Sequence, residues 1–160
     1  MSASLLYFAY GSNLSVEQMA RRCPGSSVLM PGELHGYGLA FSGVSSHWGD
    51  GGAATVVAGA ARCVPGLLYR MTPGDVEVLD GYESVPRIYS RIEVEVAGRD
   101  GTAYSALTYQ QNGSHPNPPP MGYFLQIWRG YKAFALDEAA LDAALAHSLN
   151  HGGAAAGDRQ

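Results

Sequence analysis

Residues 5–10 form an apolar and aromatic run that stops at Gly11-Ser12-Asn13, the pattern of a buried strand entering a tight turn. Ser15 and Gln18 then have capping-box spacing, which predicts a short helix from about Val16 to Arg22, ending before Pro24-Gly25. Four short β-rich stretches follow at 28–34, 36–42, 53–60 and 66–71, punctuated by Gly or Pro, and predict successive strands of a mostly antiparallel sheet. Between the second and third, residues 43–52 form a Gly/Ser loop that carries His47 and Trp48 and could serve as a mobile flap. Thr72-Pro73 reads as an N-cap with Pro at the first helical position, and Asp75 favours the same start, so a helix is expected to about Tyr82.

From Arg87 the pattern alternates strictly, with Ile88, Ser90, Ile92, Val94 and Val96 on one face and Tyr89, Arg91, Glu93 and Glu95 on the other. Asp100-Gly101 turns this strand into a partner over 102–109. A Pro-rich loop, 112–120, precedes an amphipathic helix with Met121, Phe124, Trp128 and Tyr131 at helical spacing. A last helix over 138–147 places Leu141 and Leu145 on one side, and residues 151–160 read as a disordered tail behind a single domain of residues 1–150.

Composition narrows the partner. The chain has 160 residues, enough to bury roughly two-thirds of the surface of its unfolded form in one core. Charged residues make up only 15% and Gly reaches 21 positions, which fits a strand-rich, loop-rich globule. The formal net charge is −4 and there is no Lys/Arg block, so nucleic acid and a polybasic membrane contact are not expected and a small molecule is. There is neither a basic-plus-apolar leader nor a window near the ~20 apolar residues of a spanning helix, so the expected location is cytoplasmic. Cys23 and Cys63, forty positions apart with no C-x-x-C pair, read as two reduced thiols.

Two features carry candidate chemistry. The strand–turn–helix segment Tyr7-Phe8-Ala9-Tyr10-Gly11-Ser12-Asn13 brings backbone N–H groups, a hydroxyl and an amide to one spot, as a small carboxylate or phosphate requires; Gly-Ser-Asn also builds ordinary turns. Glu83 lies seven and four positions after Val76 and Leu79, so a helix reaching that far puts a carboxylate on an apolar stripe and raises its pKa toward neutrality. The other reading is a solvated Glu at a helix end, and Asp80 reads as surface. The histidines at 35, 47, 115, 147 and 151 look scattered, with no H-E-x-x-H metal-ligand pair, so no metal is expected. Ser45-Ser46-His47 lacks a nucleophile elbow, and Cys23 has no activating feature beyond Arg21 and Arg22.

Taken in order, these residues resemble the γ-glutamylcyclotransferase superfamily, AIG2-like proteins included. The segment from Tyr7 to Leu14 resembles the family's Y-G-S-N-L turn; further landmarks are Trp48, Gly51-Gly52-Ala53-Ala54-Thr55, Gly66-Leu67-Leu68-Tyr69, Leu79-Asp80 with Glu83, Tyr89, and Pro118-Pro119-Pro120 before Tyr123, Ile127 and Gly130. The resemblance spans about residues 5–145. It implies an α+β fold, a small mixed β-barrel flanked by helices, with Glu83 as catalytic acid/base. It also implies that Tyr7, Phe8, Ala9, Tyr10, Gly11, Ser12, Asn13 and Tyr123 bind substrate, with Tyr89 behind them. Family members often have Gly directly after the catalytic Glu, where this chain has Ser84.

The reaction so implied converts a γ-glutamyl amide to 5-oxoproline and an amine or amino acid, and needs neither cofactor nor metal because the substrate's own α-amino group is the nucleophile. The leaving group stays open, a γ-glutamylamine-specific enzyme included, and a homodimer is an open assembly. Two other functions compete. A non-catalytic carboxylate-binding module predicts an exposed or ion-paired Glu83, and a hydrolase requires Ser12 or Cys23 to meet a histidine.

Overall fold

The computed structural model describes residues 5–44, 47–113 and 115–157, with side chains to residue 152. Five strands close into a barrel in the order β1-β3-β2-β4-β5. They are β1 (Leu5–Ala9), β2 (Ser27–Ser42), β3 (Ala53–Met71), β4 (Tyr89–Gly98) and β5 (Ala103–Gln111). Four neighbouring pairs are antiparallel, and β1 meets β5 in parallel at Tyr7↔Leu107, so the barrel is mixed, as the resemblance implies. Around it lie α1 (Val16–Arg22), α2 (Pro73–Tyr82), α3 (Met121–Ala133) and α4 (Ala139–Gly157). None of these helices is long and apolar enough to cross a membrane.

The four short strands expected in 28–71 are two long ones. The Gly and Pro positions that punctuate the sequence bend the ladder without ending it, and the register shifts between His35 and Tyr37. Gly36 sits there at φ +84°, a conformation that costs glycine no Cβ clash.

Helix starts follow local chemistry. Thr72 and Asp75 form a full capping box on α2. The Ser15 side chain caps α1 by accepting from Gln18 N. The Gln18 side chain does not return to the cap; it reaches Ser12 Oγ and Asn13 Oδ1, both at 2.9 Å.

The buried stripe of α3 is Tyr123, Ile127, Gly130 and Tyr131. Met121 and Trp128, expected inward, are exposed. Close approach to the turn after β1 sets this rotation, because a Cβ on Gly130 would lie 2.5 Å from Leu14 Cβ. Helix α4 runs to Gly157 rather than stopping at 147, through residues whose composition reads as a tail. Alanine-rich sequence favours continuation, and Gly152 packs against Pro118, where a Cβ would meet Cδ at 2.8 Å. Its inward side is Leu141, Ala144 and Ser148, with Leu145 only half-buried.

Candidate active site

One cavity opens where β1 ends, and the turn, α1, the end of α2 and α3 converge on it. Tyr7, Tyr10, Gly11, Ser12, Asn13, Tyr89 and Tyr123 line it with Glu83. Phe8 and Ala9 do not: both are wholly buried in the core. The Phe8 carbonyl instead accepts from Thr108 Oγ1 at 2.7 Å.

Glu83 completes the stripe of Val76 and Leu79, both buried. It is the C-cap of α2. The residue as a whole is half-buried, with its backbone at the helix end and its carboxyl in the cavity. Burial raises its pKa to about 7, against a smaller opposing pull from Arg22. Neither of the two ion pairs among the described residues includes it.

Ser84 follows at φ +52°, the left-handed conformation for which glycine is favoured. Its N–H donates to Gly81 O at 3.2 Å and that of Val85 to Asp80 O at 3.0 Å, the paired bonds of a Schellman helix end. Ser84 therefore keeps the backbone path that Gly would give. Asp80 is not surface: it accepts from Tyr109 OH at 2.7 Å and pairs with Arg91 at 3.3 Å.

The turn is held from behind. Gln126 Nε2 donates to Ser12 O at 3.0 Å and to Gln18 Oε1 at 2.8 Å, and Tyr69 OH donates to Asn13 O at 2.8 Å. Asn13 Oδ1 accepts from Gln18 at 2.9 Å and Arg22 at 3.3 Å, while its Nδ2 donates to Tyr7 OH at 3.1 Å. The amide side chain of Asn13 thus organises the site. Leu14 N and Ser15 N bond back into the turn, whereas Gly11 N, Ser12 N and Asn13 N have no acceptor among the described residues.

Burial pushes the phenols of Tyr7, Tyr10, Tyr89, Tyr109 and Tyr123 upward, so all stay protonated at neutral pH. Their protons are not equally committed. Tyr10 donates to Tyr109 O, Tyr89 to Ala54 O and Tyr109 to Asp80. Tyr7 and Tyr123 accept, from Asn13 Nδ2 and from Ala54 N at 2.8 Å, which leaves each hydroxyl proton for a further acceptor.

Sequence reasoning missed several lining residues, Arg22, Tyr82 and Tyr109 among them. Arg22 also lies over the Tyr82 ring, 4.3 Å from its centroid. A signal existed: Ser15, Gln18 and Arg22 stand at helical spacing on one stripe of α1, the stripe facing the turn. From the loop after β2, Val44, His47 and Trp48 also line the cavity. The Trp48 ring lies 5.6 Å from that of Tyr123, and His47 Nε2 is 3.1 Å from Tyr82 O. Ser45 and Ser46, the other members of the Ser/His run, lie outside the described residues.

The thiols stand apart from this chemistry. Cys23 is buried against Asp75 O at 3.5 Å, and burial pushes it up to about 11. Cys63 donates to Glu33 Oε2 at 3.0 Å and is pushed up to about 12, first by burial and then by Glu33. Both are free.

The closed barrel presents at its mouth a carboxyl that has no ion pair among the described residues, set among neutral phenols. The chain belongs to the gamma-glutamyl cyclotransferase, AIG2-like family, whose pattern its residues 7–128 match. It is 31% identical over 140 residues to the gamma-glutamylcyclotransferase of Mus musculus, covering 84% of this chain and 74% of that one. With the gamma-glutamylcyclotransferase of Homo sapiens it shares 32% over 133 residues, 81% of this chain and 71% of the relative. A solved gamma-glutamyl cyclotransferase superposes with a TM-score of 0.79 at 30% identity, covering 84% of this chain and 82% of the other.

Proposed function

We propose that this chain is a γ-glutamylcyclotransferase in which Glu83 carries the proton, releasing 5-oxoproline and an amine or amino acid from a γ-glutamyl amide. The observation that carries the reading is the Glu83 carboxyl, held near pH 7 by burial and opening into the same cavity as the turn from Gly11 to Asn13.

The substrate's α-carboxylate is taken by the N–H groups of that turn, which have no acceptor among the described residues, with Arg22 the cation beside it. This bends the γ-glutamyl chain so that the α-nitrogen faces its own γ-carbonyl carbon. Ionised Glu83 removes a proton from that nitrogen as the new C–N bond closes the five-membered ring. The uncommitted hydroxyl protons of Tyr7 and Tyr123 are the available donors for the carbonyl oxygen as it gains charge. Glu83 then returns the proton to the departing nitrogen as the γ-amide C–N bond breaks, and ends ionised as it began. A pKa near 7 suits a group that must both take and give a proton at neutral pH.

The competing functions lose their expected geometry. The binding module needs Glu83 exposed or ion-paired, and it is half-buried with no ion pair among the described residues. The hydrolase needs a nucleophile meeting a histidine, yet among the described residues no hydrogen bond joins Cys23 or Ser12 to a histidine: Cys23 is buried against a carbonyl and Ser12 Oγ accepts from Gln18. The free state of Cys23 and Cys63 supports a cytoplasmic setting.

The test is incubation with γ-glutamyl amino acids, γ-glutamyl amines and glutathione, reading 5-oxoproline by mass spectrometry, for the wild type and Glu83→Gln. Gln keeps the shape but cannot carry the proton, so turnover should fall at least about a hundredfold to ten-thousandfold while the fold is retained. Undiminished turnover of a confirmed wild-type substrate would move the acid/base role to another group.

A further inference from the structure

The antiparallel pair β2/β3 brings a second set of reactive side chains together, and none of the residues lining the cavity beside it also lines the Glu83 cavity. His35 and Cys63 are direct cross-strand partners, and Glu33, two positions before His35, projects from the same face. Just past this pair the register breaks, with Gly36 at φ +84° and Ala61 at φ +63°. The ladder therefore stops holding the two strands in step at the point where the three side chains converge.

One carboxylate oxygen, one imidazole nitrogen and the thiol sulfur all lie within 4.8 Å of one another. Glu33 and His35 are exposed and Cys63 is half-buried, so an ion can reach them from solvent. The neighbouring cavity is lined by Asp137 as well as Glu33 and Cys63; its one cation among the described residues, Arg99, donates to Phe134 O at 2.8 Å.

We propose that Glu33, His35 and Cys63 form a zinc-binding site with water at the fourth position. The ligand set decides the metal. Thiolate with imidazole favours a borderline-soft ion, whereas calcium and magnesium select oxygen ligands alone. Zinc bonds of about 2.0–2.3 Å in a tetrahedron place ligand atoms roughly 3.3–3.8 Å apart, so side chains already inside 4.8 Å need only small rotations. On binding, the Cys63 S–H bond breaks, its proton leaves to solvent, the Zn–S bond forms, and nothing is oxidised. The ion would clamp β2 to β3 beside the bulge.

The site escapes a reading of the sequence because Cys63 is far from Glu33 and His35 along the chain. It has one rival. His147 and His151, separated by one turn of α4, have their rings 4.2 Å apart, a pairing hidden when the helix is ended at 147.

The experiment is calorimetric titration of the chelator-stripped full chain, kept reduced, with zinc chloride. One ion per chain should bind, and zinc should shield Cys63 from alkylation, mapped by mass spectrometry, without changing Cys23. Cys63→Ser and His35→Ala should each weaken zinc at least about tenfold, while the double variant His147→Ala/His151→Ala should leave it unchanged. Cobalt substitution of the wild type should give a thiolate-to-metal charge-transfer band, a readout that does not depend on any variant folding. No zinc uptake, no such band, or loss of binding in the α4 double variant with retention in Cys63→Ser would overturn the site.

Discussion

Glu83 holds a proton in the folded chain over a pH range in which the unfolded chain has released it. Its pKa rises from 4.5 to about 7 on folding, so stability falls as pH rises through that window and the deficit is complete above it. The difference corresponds to at most about 3–4 kcal/mol. Glu83→Gln, neutral throughout, should therefore melt progressively higher relative to wild type between pH 4 and pH 8. Calorimetry at the two pH values checks this, and a gap that does not change with pH would mean that the carboxyl is not buried in the ionised form.

If Glu83 carries the proton as proposed, the same group should set the pH–rate profile. In the proposed mechanism the base form acts in the free enzyme, so kcat/KM should rise along an acid limb centred at about 7. Arg22 opposes the rise, so Arg22→Met should move that limb upward. A limb that stayed in place or moved down would show that the guanidinium does not act on Glu83. Spacing from Val76 and Leu79 makes Glu83 visible in the sequence, because a helical stripe is a local property. Asp80 is misread for the complementary reason: its partners Tyr109 and Arg91 come from other strands, and a one-helix view sees only an off-stripe acid.

Among elements, α2 matters most because its end aims the carboxyl. Both its caps are local, and its start is fully legible from Thr72-Pro73 and Asp75. Its end departs from glycine at the left-handed position, where a side chain costs about 1–2 kcal/mol against glycine, less the ~0.5–1 kcal/mol glycine loses through its freer unfolded chain. Ser84→Gly should thus stabilise by about 0.5–1 kcal/mol, seen as a rise of roughly 1–4 °C in Tm, with no loss of kcat/KM. A lower Tm would indicate that the Ser84 side chain supplies more than the backbone strain removes. Elements shaped by contact are less legible. The inward face of α3 is chosen by the fit of Gly130 over Leu14, which no periodicity encodes, and β2 and β3 run on through positions that look like breaks because pairing along the whole ladder outweighs local turn propensity.

At the scale of the molecule, the barrel closes through its weakest seam. The parallel contact of β1 with β5 is a single paired position, Tyr7↔Leu107, where the antiparallel seams β2/β3 and β4/β5 have long registers. Side chains reinforce it: Thr108 Oγ1 donates to Phe8 O at 2.7 Å and Tyr10 OH donates to Tyr109 O. These partners stand about a hundred positions apart, so the family resemblance implies closure while no local pattern in the sequence encodes it. Because β1 delivers the turn and Tyr7 to the cavity, the seam also fixes where substrate would bind. Thr108 is wholly buried, and Thr108→Val keeps its shape while removing the donor. That change should cost about 1–2 kcal/mol, the net worth of a buried hydrogen bond plus part of the desolvation of the carbonyl left behind. In urea the midpoint should fall with an unchanged slope if the seam opens only when the whole barrel does. A shallower slope would instead mean that β1 separates before the rest. An unmoved midpoint would show that the lone strand pair closes the barrel without help from Thr108.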